Sequence, residues 1–150
     1  MLTELYRYLK TSDTLHSSGM PTRAQISALA QEGIQVVINL STSTSEGWMP
    51  DEQAQVEAQN ITYYEIPVEW ESPANDSLKK FLTVIDKHQR EKILVHCQEN
   101  YRAAAFIALY RFNLLGWSEA NAFKDLQKIW NPAEYPIWKK FIETSLRAQS

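Results

Sequence analysis

The stretch EKILVHCQENYRAAAF (residues 91–106) changes character three times. Ile93, Leu94 and Val95 form a short apolar run of the kind that makes a buried strand. His96 and Cys97 end it. Gln98, Glu99, Asn100 and Tyr101 then separate Cys97 from Arg102, and small and apolar residues follow. That run predicts a helix from about Tyr101 to Leu115, stopped by Gly116. A strand ending in a cysteine and a helix starting near an arginine form a strand–loop–helix unit, the repeating element of α/β folds.

The rest of the chain repeats the alternation. Residues 34–40 (IQVVINL) and 61–68 (ITYYEIPV) are further strand candidates, and their nearly continuous apolar character predicts a mainly parallel sheet covered on both faces. Helical patterns lie between them. PTRAQISALAQEG (21–33) precedes the first strand and stops at Gly33. PDEQAQVEAQN (50–60) opens on Pro50 and has acids in its first turn. Leu78, Phe81, Leu82 and Ile85 follow the i, i+3, i+4, i+7 rule, with Asp76 near the helix start. Two more amphipathic helices follow the 101–115 segment. One carries Ala122, Phe123, Leu126 and Ile129, and the other carries Ile137, Trp138, Phe141, Ile142 and Leu146 behind Pro136. Trp117, Trp130 and Trp138 are expected to pack in this helical C-terminal part. A length of 150 residues with no linker or repeat predicts one α/β domain, 1–150.

Composition narrows the function classes. A net charge of −3 is not the basic footprint of a nucleic-acid binder. A single cysteine cannot form an internal disulfide, so no oxidising compartment is needed. No apolar stretch approaches the roughly 20 residues of a membrane span, and MLTELYRYLKTSD is too polar for a signal-peptide core. The expected location is the cytoplasm, for a chain with no further leader. No Walker loop, zinc pattern or dinucleotide fingerprint is present, so no cofactor is expected. His16 and His88 have no metal-ligand spacing with Cys97 and read as surface or packing residues.

Ligands of open α/β sheets bind beyond the carboxyl ends of the strands. STSTSEGW (41–48), EWESPAND (69–76) and CQENYR (97–102) all fall there. Trp48 and Trp70 read as rim packing or cleft walls. A cysteine attacks as its thiolate. The free N–H groups at a helix start favour an anion, and Arg102 offers a bidentate fork to a phosphate-like group. These residue types suit covalent phosphoryl transfer. The partners expected are a phosphorylated small molecule or phosphoprotein, or a phosphate or sulfate anion.

On SSGMPT (17–22), GIQVVINL (33–40), IPVEW (66–70) and HCQENYRAAAF (96–106), the chain resembles the bacterial protein tyrosine phosphatase-like family. This is a cysteine-dependent phosphatase fold of the dual-specificity type, formerly a domain of unknown function. The resemblance implies a mainly parallel central sheet of four to five strands flanked by helices. It implies Cys97 as nucleophile, and Arg102 with the loop Gln98, Glu99, Asn100, Tyr101, Arg102 and Ala103 as the phosphate-binding group. His96 would support the loop. The proton donor is expected from the 69–76 segment, Glu71 first and Glu69 next. The loop departs from the family pattern in four ways. It has four residues instead of five between Cys and Arg, and it has no glycine, leaving Asn100 to take a left-handed conformation. Ala103 stands where Ser or Thr is usual, and Glu99 is an acid beside an anion site. Two alternatives follow from these departures: a non-catalytic anion-binding pseudophosphatase and a rhodanese-like sulfurtransferase.

Overall fold

The computed structural model describes residues 1–147. Among them, five strands form one sheet: β1 (Leu9–Lys10), β2 (Leu15–Ser18), β3 (Val36–Asn39), β4 (Thr62–Glu65) and β5 (Ile93–His96). Their spatial order is β1-β2-β5-β3-β4. Only β1 is antiparallel; β2, β5, β3 and β4 run parallel. The helices are α1 (Arg23–Ser27), α2 (Glu52–Glu57), α3 (Asn75–Lys87), α4 (Tyr101–Asn113), α5 (Glu119–Ala122) and α6 (Pro136–Arg147). This is the mainly parallel α/β architecture that the sequence predicts. No helix among the described residues is long and apolar enough to cross a membrane.

The pleat sorts the strand residues onto two faces. Val36, Ile38, Ile93 and Val95 join one core cluster, built with α3, α4 and α6. Val37, Tyr63 and Leu94 join the other, with Ile26 of α1 and Val56 of α2. Register pairs Asn39 with His96 at the carboxyl ends of β3 and β5. The same alternation puts His96 on the α2 face with Leu94. Cys97 falls in the α4 cluster with Val95. Every residue of α4 from Arg102 to Arg111 is buried, as expected of a helix enclosed on all sides.

Several expectations are corrected. The 21–33 helix is confined to Arg23–Ser27. Thr22 caps it, with Gln25 N donating to Thr22 Oγ1 at 3.2 Å. Gln59 then intervenes: its Oε1 accepts from Ala30 N at 3.0 Å and its Nε2 donates to Ile26 O at 2.8 Å. Those are the two groups that a helical bond from Ala30 to Ile26 would have joined. The single helix expected over Ala122, Phe123, Leu126 and Ile129 is broken into α5 and a 3₁₀ turn, Leu126–Lys128. Between them Asp125 pairs with the buried Arg111 at 2.7 Å. Trp117 is not core: it is 40 % exposed and lies against the Arg111 guanidinium, 4.4 Å from ring centroid to Cζ. The β1 and β2 strands were not expected, because LHSS lacks an apolar run although all four of its residues are buried.

The 61–68 strand ends at Glu65, yet the chain still follows β3. Ile66 N donates to Asn39 O at 2.9 Å and Val68 N to Leu40 O at 3.0 Å. It then turns, with Ser72 N donating to Glu69 O at 3.3 Å. Glu69 and Glu71 therefore belong to a turn and not to a continued strand.

Candidate active site

The three segments at the carboxyl edge meet around Arg102. Its guanidinium is buried and donates from Nη1 to Val68 O at 2.7 Å. Among the described residues, Nη2 makes one long contact, 3.5 Å, to Ser45 Oγ. Arg102 thus ties the loop after β4 and the loop after β3 to the start of α4. Gln98 adds a second tie, its Oε1 accepting from Glu46 N at 3.0 Å.

The loop from Cys97 to Asn100 is closed by backbone geometry. Asn100 is left-handed, with φ 67° and ψ 3°, the conformation Asn tolerates best after glycine. Its Nδ2 donates to Arg7 O at 2.8 Å. Cys97 N donates to Ser18 O at 3.3 Å. Among the described residues, the amides from Gln98 to Ala103 donate to no other protein group. A run of free amides at a helix start is an anion cradle.

SSGMPT braces this loop. Met20 N donates to Gln98 O at 3.0 Å, and Gly19 N to Tyr6 O at 2.7 Å. A Cβ at Gly19 would fall 2.6 Å from Gln98 O and 2.6 Å from Tyr6 Cδ2. Glycine is required here by close approach. Gly19→Ala is expected to lower stability by about 1–3 kcal/mol through overpacking against backbone, read as a fall in Tm.

Glu99 does not aim its charge at the arginine. Its Oε2 accepts from Tyr6 Oη at 2.7 Å and pairs with Arg7 Nε at 3.2 Å. Arg7 also sits 5.5 Å from the centre of the Tyr101 ring.

Above Arg102 lies a cavity of about 350 Å³ lined by Trp70, Gln98, Glu99, Tyr101, Arg102 and Tyr135. Trp70 and Trp138 stack with centroids 5.3 Å apart, and Tyr101 and Trp130 lie parallel at 4.9 Å. Two indoles pin the site by their N–H groups: Trp138 donates to Trp70 O at 2.7 Å and Trp130 to Tyr101 O at 3.0 Å. The helical C-terminal part thereby fixes the walls of the cavity. Trp70 is a wall, while Trp48 lies elsewhere and donates to Glu65 Oε1 at 3.3 Å.

Cys97 is fully buried and does not line that cavity. Neither does Glu69 or Glu71. Glu69 is exposed. Glu71 lines a separate cavity with Pro73, Asn75, Lys140 and Phe141. Asp76 lies in the first turn of α3. Among the described residues, no group of three or more His, Cys, Asp or Glu gathers as for a metal ion.

His96 is fully buried, with Nε2 2.7 Å from Glu52 Oε2. Tyr63 lies beside them. Burial, then the Glu52 carboxylate, pushes its phenol well above the usual range. Asn39 Nδ2 donates to Tyr63 Oη at 3.0 Å, and Asn39 Oδ1 accepts from Ser41 N at 2.9 Å. Sequence reasoning missed Glu52, Ser45 and Tyr135. Glu52 looked like an ordinary acid in a first helical turn, and only the His96 neighbour on the same sheet face could have flagged it.

A family model described as "DSP-PTPase phosphatase fused to NAD+ Kinase" (PTP-NADK) matches residues 7–131. A comparison with curated proteins gave no match. Among solved structures, a DUF442 protein from Shewanella putrefaciens CN-32 is similar at 33% identity and a TM-score of 0.88, over 99% of this chain and 97% of that one. The active form of Tk-PTP is similar at 17% identity and a TM-score of 0.77, over 96% and 98%. TpbA of P. aeruginosa, in a cysteine-to-serine form in complex with pTyr, is similar at 16% and 0.70, over 95% and 90%. The last two likenesses concern the fold.

Proposed function

Because this chain belongs to the PTP-NADK family of DSP-PTPase phosphatases, we propose that it hydrolyses a phosphate monoester through a phosphate bound covalently to Cys97. The observation that carries this is the Cys97–Arg102 loop itself. The loop that follows the chain's single cysteine carries free amides and a buried arginine with N–H groups to spare, and that arginine lines an aromatic-walled cavity.

The chemistry runs in two displacements. The Cys97 thiolate attacks phosphorus, forming an S–P bond as the P–O bond to the leaving group breaks. The leaving oxygen takes a proton from an acid on the 69–72 turn. Water then attacks phosphorus and gives a proton back to that acid, the S–P bond breaks, and inorganic phosphate departs, restoring the thiolate and the acid. Arg102 and the amides of Gln98 to Ala103 stabilise the charge on the transferring oxygens. Trp70, Tyr101 and Tyr135 suit a flat leaving group such as a phenol. That accords with the pTyr bound by TpbA, a protein of similar fold. The substrate is then a phosphoprotein or a phosphorylated small molecule with an aromatic or apolar body.

We assign the acid to Glu69 ahead of Glu71. Glu69 lies between Val68, held by Arg102, and Trp70, a wall of the cavity. Glu71 faces the separate cavity against α6. Glu69→Gln is expected to lower kcat by about 10²–10⁴-fold on alkyl phosphates, the usual worth of a general acid. The loss should be much smaller on aryl phosphates, whose leaving groups need no proton. Glu71→Gln should leave both unchanged.

A second reading is anion binding without turnover. It is favoured by the complete burial of Cys97 and by the absence of Glu69 and Glu71 from the cavity lining. One assay separates the two. Hydrolysis of an aryl phosphate in the presence of a metal chelator supports catalysis. Saturable phosphate binding with no hydrolysis supports the second reading.

A further inference from the structure

Glu52 stands in the first turn of α2, where an exposed acid would already interact favourably with the helix end. Instead it is 1 % exposed and faces a fully buried imidazole. Its Oε1 and His96 Nδ1 have no hydrogen-bond partner among the described residues. Buried polar atoms without partners are destabilising, and an apolar pair of similar volume is often as stable or more so. Core packing alone does not account for a glutamate at this place.

What Glu52 touches gives the reason. His96 is the last residue of β5, Asn39 the last of β3, and Tyr63 belongs to β4. Ser41, Asn39 and Tyr63 are joined by hydrogen bonds, Glu52 pairs with His96, and the Glu52 carboxylate acts on the Tyr63 phenol through its charge. The strands whose following loops build the site are therefore linked on the face opposite the cysteine. The backbone of His96 is held as well, its carbonyl accepting from Leu40 N at 2.8 Å. With ring and backbone both fixed, Cys97 is the first residue to turn out of the strand.

We propose that Glu52 is the positioning residue of the cysteine loop. Its carboxylate accepts the Nε2 proton of His96 and so fixes the tautomer and rotation of the ring immediately before Cys97. A carboxylate that orients a working histidine is a known device at metal sites; here the oriented ring supports a thiol loop. The consequence for turnover rests on the phosphatase reading, whereas the consequence for the loop does not.

The test uses the full chain. Nitrogen-15 NMR of the histidine rings in the wild type should show His96 protonated at Nε2; a bare Nε2 overturns the proposal, whatever any variant does. Glu52→Met removes the acceptor at similar volume. It is expected to slow alkylation of Cys97 by iodoacetamide, and to lower kcat on an aryl phosphate, by about 10–100-fold with KM little changed. Glu52→Gln keeps an oxygen acceptor and should recover most of both. A purely structural Glu52 would lower Tm alone. Wild-type alkylation and kcat in folded Glu52→Met would refute positioning. Cys97 is the single cysteine, so alkylation reads one site. If the wild type turns over no phosphate ester, the phosphatase reading fails, and the alkylation and NMR results still decide the role of Glu52.

Discussion

Cys97→Ser is expected to lower phosphate monoester hydrolysis by on the order of 10⁴–10⁶-fold, the loss seen when a nucleophile is removed from a concerted site. The hydroxyl is smaller and far less ionised than a thiol at neutral pH, and an alkoxide is not available to replace the thiolate. Binding should survive. Arg102, the free amides and the aromatic walls are untouched, so inorganic phosphate should bind Cys97→Ser with nearly wild-type affinity by calorimetry. The variant also places a hydroxyl where a fully buried thiol sits. A buried hydroxyl without a partner costs about 1–3 kcal/mol, so Tm should be measured in parallel to show that the lost turnover belongs to folded protein.

Arg102→Ala is expected to have the opposite signature, losing binding and turnover together. Nη1 satisfies the Val68 carbonyl, and the remaining N–H groups are those left for an anion. Removing one preorganised donor to a developing oxyanion costs about 10²–10³-fold in kcat. Arg102 supplies a charge and a fork, so kcat/KM should fall by at least that factor, and phosphate should no longer compete. Arg102→Lys keeps the charge but has one nitrogen in place of a planar fork. It cannot hold Val68 O and an anion with the same geometry, so it should resemble the alanine variant more than the wild type. If Arg102→Lys binds phosphate as the wild type does, bidentate recognition is not what this arginine supplies.

The parts of the fold read correctly from sequence are those governed by local pattern. Buried strands β3 and β5 are nearly unbroken apolar runs, α3 and α6 carry amphipathic stripes, and α4 begins at Tyr101, where the run of small and apolar residues predicts it. The left-handed Asn100 was legible too, because a glycine-free loop left one residue suited to it. What was missed depends on distant partners. The buried polar residues of β2 look like a loop until Tyr8 Oη is found 2.7 Å from His16 Nδ1. The helix over 21–33 is cut short by Gln59, far along the chain. Glu52 reads as a surface acid unless sheet alternation aims His96 at α2. Glu71 was expected ahead of Glu69 as the proton donor; the turn closed between Glu69 and Ser72 contains both, and Glu71 lines a cavity against α6.

The central claim is that a phosphate passes through Cys97, and rapid quenching tests it most directly. Enzyme mixed with excess aryl phosphate, acid-quenched within a turnover and digested, should yield a peptide containing Cys97 with phosphate on sulfur. The adduct should be absent from Cys97→Ser and should disappear as substrate is consumed. Wild-type enzyme that hydrolyses the ester without ever carrying phosphate on Cys97 would contradict the account.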